Sequence, residues 1–301
     1  TISGNSADGG GGIYCWDSSP NFENVTITGN SAGIHGGGIY CWDSSPSFSI
    51  DNRCSIYSNT IENTRGFGAD IFVETGYTIH ITIDTFTVMT PTDYYASPIN
   101  NFTFDILHSV VDSLINADVY VSVDGDNSNS GTSPDFPFKT INHALSRIYF
   151  DSLNIHTIHL APGVYSNSTN GEIFPIYWSN YINLAGNSED ETILDADSTS
   201  GVLDFDVVTD AIISNITITN GNSVDHHGGI RCYNSNPNLL NVTISGNTAC
   251  GISCYFSSPS LINVTISDNS GPGIKCYNSS PNLQNVTISG NSSDYGGGDL
   301  L

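Results

Sequence analysis

Five times along this chain a short word recurs: Ile, any residue, Cys, an aromatic residue, and Pro four places later. The cysteines are Cys15, Cys41, Cys232, Cys254 and Cys276. Ile13, Ile39, Ile230, Ile252 and Ile274 stand two residues before them, and Phe22, Phe48, Leu239, Leu261 and Leu283 seven residues after. The last three cysteines lie 22 residues apart and the first two 26. Asn-Val-Thr-Ile follows in four of the five copies; after Pro46 the pattern departs, with Cys54 in the place of Val. A fixed period of this length means that the fold is built by stacking.

Ile-x-Cys and Val-x-Ile each alternate, so each reads as a short strand that buries every second side chain. Gly and Ser-Pro separate them, because Pro has no ladder N–H and Gly permits unusual turn dihedrals. A unit of about 22 residues with two or three short strands cannot enclose its own inner face. Stacked about 4.8 Å apart, like positions superpose and each strand pairs with its copy in the next coil. The expected fold is all-β: a parallel β-helix (solenoid) with an inner ladder of Ile, Cys, Val and Leu.

Charge limits the partners. Thirty acidic residues against six basic ones give a net charge of −24 over 301 residues. Nucleic acid is excluded, since neutralising phosphates takes clustered Lys and Arg, and so is docking on an anionic membrane. No apolar run approaches the roughly 20 residues of a membrane span, so no membrane insertion is expected. No signal peptide is visible, but the chain opens inside a repeat, at TISGNS, as a fragment or processed piece would. Seven cysteines leave at least one without an intrachain partner. Most of the nine Asn-x-Ser/Thr sequons read as by-products of the repeat.

The pattern resembles right-handed parallel β-helix proteins. GNSAGIHGGGIYC, at residues 29–41, is similar to the repeats of polymorphic outer-membrane proteins. YVSVDGDNSNSGTSPDFPFKTINHAL, at residues 120–145, resembles the segment of unknown function that opens many secreted β-helix proteins, including some polysaccharide lyases; HLAPGVYS and TILDADST continue it as first coils. These resemblances cover most of the chain outside residues 75–116. They imply an extracellular or cell-surface setting, and they raise calcium-assisted lyase or paired-carboxylate hydrolase chemistry.

Residues 138–150 place Ile141, Ala144, Leu145 and Ile148 on one helical face, with Thr132, Ser133 and Asp135 as caps. One short amphipathic helix is thus expected to cover the open end of a stack. Before it, residues 77–89 alternate as a long strand, and PTDYYASPINN reads as a linker-like turn. The expected organisation is the closing part of one β-helix, with its cap, at residues 1–116, and the cap and coils of a second at residues 117–301.

Several rows are candidate sites. The aromatic row of Trp16 and Trp42, with Tyr233, Tyr255 and Tyr277, should face outward and offers rings to a glycan. The cysteine row reads as core, since no Cys-x-x-Cys pair supplies a metal site. Asn5, Asn30, Asn247, Asn269 and Asn291 read as an amide ladder along the stack. Asp124, Asp126, Asn127 and Asn129 make an oxygen-rich loop that reads as an Asx turn or as a calcium site lacking the glutamate of an EF-hand. Catalysis would fall to Arg231 and Lys275, with Asp225 and His226, but no Asp–Asp pair is visible beside them. His35 reads as a surface residue. No cofactor is required.

The reading that follows is a non-catalytic extracellular structural protein, a β-helix module of a head-to-tail filament, sheath or giant adhesin whose partner is another copy of itself. The alternative is a carbohydrate-active enzyme or carbohydrate-binding module on the same fold.

Overall fold

In the computed structural model the chain forms two compact units, residues 1–114 and 115–301. The structure describes residues 1–62, 67–74, 76–90, 93–111, 114–149, 151–222 and 228–293. Both units are parallel β-solenoids, with strands that pair coil to coil.

The first unit has three main parallel faces, beside the short parallel pair of Asn21–Phe22 and Ser47–Phe48. One stacks Ile2–Ser3, Thr26–Thr28, Cys54–Tyr57 and Ile79–Thr90, with Phe102–Val111 paired along the last. A second stacks Ser6–Gly9, Ser31–His35 and Thr60–Ile61. The third stacks Ile13–Trp16, Ile39–Trp42, Ile71–Val73 and Ala96–Ser97. Ile13 lies over Ile39 and Ile39 over Ile71, while Cys41 meets Cys15 on one side and Val73 on the other. Ser55 pairs with Thr26, so Cys54 does take the Val25 position. The segment that reads as a linker is instead part of the solenoid: Ala96 continues the Ile71 row. Its Pro-rich composition hides one more coil.

In the second unit, one face stacks Ile176–Tyr177, Leu203–Asp206, Ile230–Tyr233, Ile252–Tyr255 and Ile274–Tyr277. Another carries Val119–Val121, His156–Leu160, Ile182–Ala185, Ile212–Thr219, Asn238–Ser245 and Ser260–Ser267, with Asn282–Gln284 and Thr287–Ser289 on the last. The strands Ile212–Thr219, Asn238–Ser245 and Ser260–Ser267 each turn a corner at a sequon asparagine, Asn215, Asn241 or Asn263, whose φ is 55°, 52° and 55°. Asparagine tolerates this left-handed conformation. Each of the later corner amides also donates to the one before it, Asn241 to Asn215 at 2.9 Å and Asn263 to Asn241 at 3.0 Å. The sequon word is therefore a corner piece.

The cysteines are core. Cys232, Cys254 and Cys276 share one register, and all seven thiols are free. The hydrogen bond with Cys232, with burial behind it, pushes the Cys254 thiol well above its ordinary range. A thiol held protonated in this way is a poor nucleophile.

The expected helix is α1, Ile141–Arg147, which buries Ile141, Ala144 and Leu145. Its cap is Thr140, whose side chain accepts from the His143 amide, and not Thr132, Ser133 or Asp135. The larger correction is electrostatic. Fully buried Glu172 accepts from the Ile141 amide at 2.6 Å, the Asn142 amide at 3.1 Å and the Asn142 side chain at 2.8 Å. A carboxylate from 30 residues away thus satisfies amides at the helix start, where the dipole favours negative charge. It is delivered by a second, one-turn helix, α2, Asn167–Asn170, closed by a capping box at Ser166. The sequence reading expects only one helix, because four residues carry no periodic signal.

Removing this carboxylate strands several donors in the interior, at about 1–3 kcal/mol each. Glu172→Ala is expected to lower the urea midpoint of the second unit, read by far-UV circular dichroism. Asp190→Ala, at an exposed position, should leave it within error.

Candidate functional site

The second unit's Leu203–Asp206 face gathers the outward charges. Strand alternation points Asp204 and Asp206 to the same side, and register sets Arg231 beside Asp204 and Tyr233 beside Asp206. Arg231 Nη1 lies 2.8 Å from Asp204 Oδ1 and 4.0 Å from Asp206 Oδ2. Its guanidinium carbon sits 5.2 Å from the centre of the Tyr233 ring. A pair of aspartates therefore does accompany Arg231, contrary to the sequence reading. Ser253, fully buried, comes next in the row, and half-buried Lys275 follows it. Arg231 and Lys275 are thus held apart by a whole coil. Asp225 and His226 lie outside the described residues.

Chemically the group is an ion pair backed by an aromatic ring. Arginine stays protonated in proteins, so Arg231 as placed is a donor and a positive charge, not a base. What the arrangement can do is hold hydroxyls or a planar group between acceptor and donor.

The aromatic row faces outward. Trp16 and Trp42 stack with ring centres 5.8 Å apart, and Trp16 is 66% exposed. Tyr233 and Tyr277 are exposed and Tyr255 is half-buried. One further ring, Phe256, joins this row, 50% exposed and at near right angles to Tyr233 and Tyr277 at 6.3 and 5.5 Å. It was not legible as a site because it occupies the turn position after the outward strand residue, which Asp17, Asp43, Asn234 and Asn278 fill in four coils and Val207 in another.

The acidic loop is knitted to itself. Asp126 accepts from the Ser128 amide at 2.8 Å, which holds its carboxyl below the usual range. Asn127 Oδ1 accepts from the Lys139 amide at 2.8 Å, and Asn129 Nδ2 donates to Pro137 O at 2.8 Å. Asp124 receives no side-chain bond of this kind; its own amide donates to Ser122 Oγ at 3.3 Å. Among the described residues no group of three or more His, Cys, Asp or Glu converges as a metal site. Of the loop's side-chain oxygens, Asp126 Oδ1 and Asn127 Oδ1 are engaged by the turn.

Two features of the first unit escape the sequence reading. An open cleft of about 520 Å³ is lined by Asn24, Thr26, Asp51, Arg53, Asp84 and Leu107, among others. Arg53 is committed within it, to Asp105 Oδ2 at 2.7 Å and to two backbone oxygens. His35, read as a surface residue, is half-buried and stacked 4.2 Å from the Phe72 ring. Its Nδ1 accepts from the Phe67 amide at 3.0 Å, and burial lowers its pKa.

A family model described as "Protein of unknown function (DUF1565)" matches residues 123–296, more than half of the chain. The match falls where the opening-segment resemblance lies; the resemblance to polymorphic outer-membrane proteins has no match. No curated protein and no solved structure matches the chain. No helix among the described residues is long and apolar enough to cross a membrane.

The asparagine row of the first unit ends on a titratable group. Asn5 Nδ2 donates to Asn30 at 2.9 Å, Asn30 to Asn59 at 3.0 Å, and Asn59 to Asp70 at 2.8 Å. Asp70 is fully buried and also accepts from the Thr87 amide at 3.1 Å. Burial outweighs these bonds and raises its pKa to about 7. Between the ordinary carboxylate range and about 7 the folded state therefore binds more protons than the unfolded chain, so stability falls as pH rises through that window. Urea unfolding of wild type and Asp70→Asn at several pH values is expected to show a steeper decline in the wild type, the variant keeping only the part due to Glu172, whose carboxyl burial also raises. Parallel pH profiles would remove Asp70 as its source.

Proposed function

The chain belongs to the DUF1565 family of proteins of unknown function, and we propose that it is a non-catalytic structural module of an extracellular or cell-surface assembly. One observation carries this reading: the coils from Leu203 to Tyr277 keep a single register, with Ile230, Ile252 and Ile274 in one buried row. Three sets of inter-coil bonds reinforce that row. They are the inner asparagines, the corner asparagines, and the serines whose Oγ atoms receive the preceding coil's amide, as Ser257 does from Ser235. Residues are spent on repetition, and repetition suits a scaffold better than an active site.

The partner in this proposal is a second copy, stacked end to end as a filament, sheath or long adhesin. Thr-Ile-Ser-Gly-Asn stands at residues 1–5, 243–247 and 287–291. The inner asparagines donate forward in both units, from Asn5 to Asn30 and from Asn269 to Asn291. The same direction carries from Asn291 of one copy to Asn5 of the next. Such a contact is heterologous and builds rings or filaments, not closed dimers. Electron microscopy of the 301-residue chain is expected to show fibres with an axial repeat of one module. A dispersed monomer at high concentration would refute self-stacking.

A catalytic alternative draws its support from Asp204, Asp206 and Arg231. Incubation with pectin and alginate, with and without calcium, is expected to yield neither unsaturated products nor new reducing ends. Activity that disappears in Arg231→Ala would replace the structural reading with an enzymatic one.

A further inference from the structure

The turn that follows each Ile-x-Cys-aromatic strand uses a left-handed residue. Asp17, Asp43, Asn234 and Asn278 fill it, with φ between 45° and 49°. These are the residue types that tolerate this conformation. Two coils break the rule: Val207 occupies the position at φ 58° after Asp206, and Phe256 occupies it at φ 51° between Asn234 and Asn278. A bulky side chain held there costs on the order of 1–3 kcal/mol, and such strain persists where the surroundings over-determine it or function requires it. The ring is half exposed, so core burial does not account for it. Nor is it stacked away, since it meets Tyr233 and Tyr277 at 87° and 85°.

Tyr233 lies beside Asp206, with Arg231 5.2 Å from its ring and bonded to Asp204; Phe256 and Tyr277 continue the row from there, with Lys275 along the same face. Among the described residues, two carboxylates and two cations leave the patch near electrical balance on a chain of net charge −24. That overall charge repels polyanions, and the local balance gives a simple cation no excess of carboxylates. The chemistry that fits is a neutral one, with apolar C–H faces for the rings and hydroxyls that both donate to carboxylates and accept from guanidinium.

We propose that this face of the second unit, formed by Tyr233, Phe256 and Tyr277 with Asp204, Asp206 and Arg231, binds a neutral oligosaccharide chain. The strained Phe256 supplies its central ring. The site is independent of whether copies stack end to end, and it requires no bond to be made or broken.

The test exploits the conflict between strain and binding. Phe256→Asn restores the residue type that neighbouring coils use, so it is expected to raise the melting temperature while it removes the ring. Native affinity electrophoresis through galactomannan, xyloglucan and hydroxyethyl cellulose, with polygalacturonate as the anionic comparison, reads the binding. Wild type is expected to be retarded by at least one neutral polymer and not by polygalacturonate. Phe256→Asn should bind that polymer about tenfold more weakly or worse, the loss of a contact near 1.4 kcal/mol. Equal retardation of both proteins, retardation by the anionic polymer alone, or retardation by none would overturn the proposal.

Discussion

Everything in this protein depends on one constraint: a residue must sit beside its own counterpart in the next coil. Parallel strands fix that spacing at about 4.8 Å and leave no freedom to slip, since a one-residue shift would turn every buried side chain outward. Isoleucine stacks on isoleucine and cysteine on cysteine because the backbone ladder has already placed them. The side-chain amides then use the same spacing. In the coils that carry the row, an asparagine finds the next asparagine within 2.8–3.0 Å in both units.

The same constraint explains what the sequence reveals. The stacking, the buried thiols, the outward aromatics and the inner asparagine row can be read from recurring words, because each position repeats its environment as well as its residue. Coils that substitute the marker residue are harder to see. Ile71–Val73 and Leu203–Asp206 carry Val73 and Phe205 where other coils carry Cys. An alignment keyed on cysteine passes over both, and with the second it passes over Asp204 and Asp206. The charged pair beside Arg231 was hidden by a core substitution.

Contacts made between distant, non-repeating segments are invisible for a different reason. Glu172 reaches the start of α1 only because α2 turns the chain there, and Arg53 reaches Asp105 across the coil formed by Ile79–Thr90. Neither pairing has a period or a spacing that advertises it. Phe256 is the intermediate case. Its position belongs to the repeat, but its residue does not, and only the backbone dihedral exposes the conflict.

The inner asparagine row has one more property. An amide both accepts and donates, so each member can hand the chain of bonds to another, without limit. The Asp70 carboxyl, as placed, only accepts, since Asn59 and Thr87 both present donors to it. Asp70 therefore closes the series that Asn5, Asn30 and Asn59 open, and the Thr87 amide on its other oxygen faces it with a second donor instead of a further acceptor. A single oxygen-for-nitrogen exchange thus works as a full stop in an otherwise open-ended sentence, and the length of the row is counted out by chemistry.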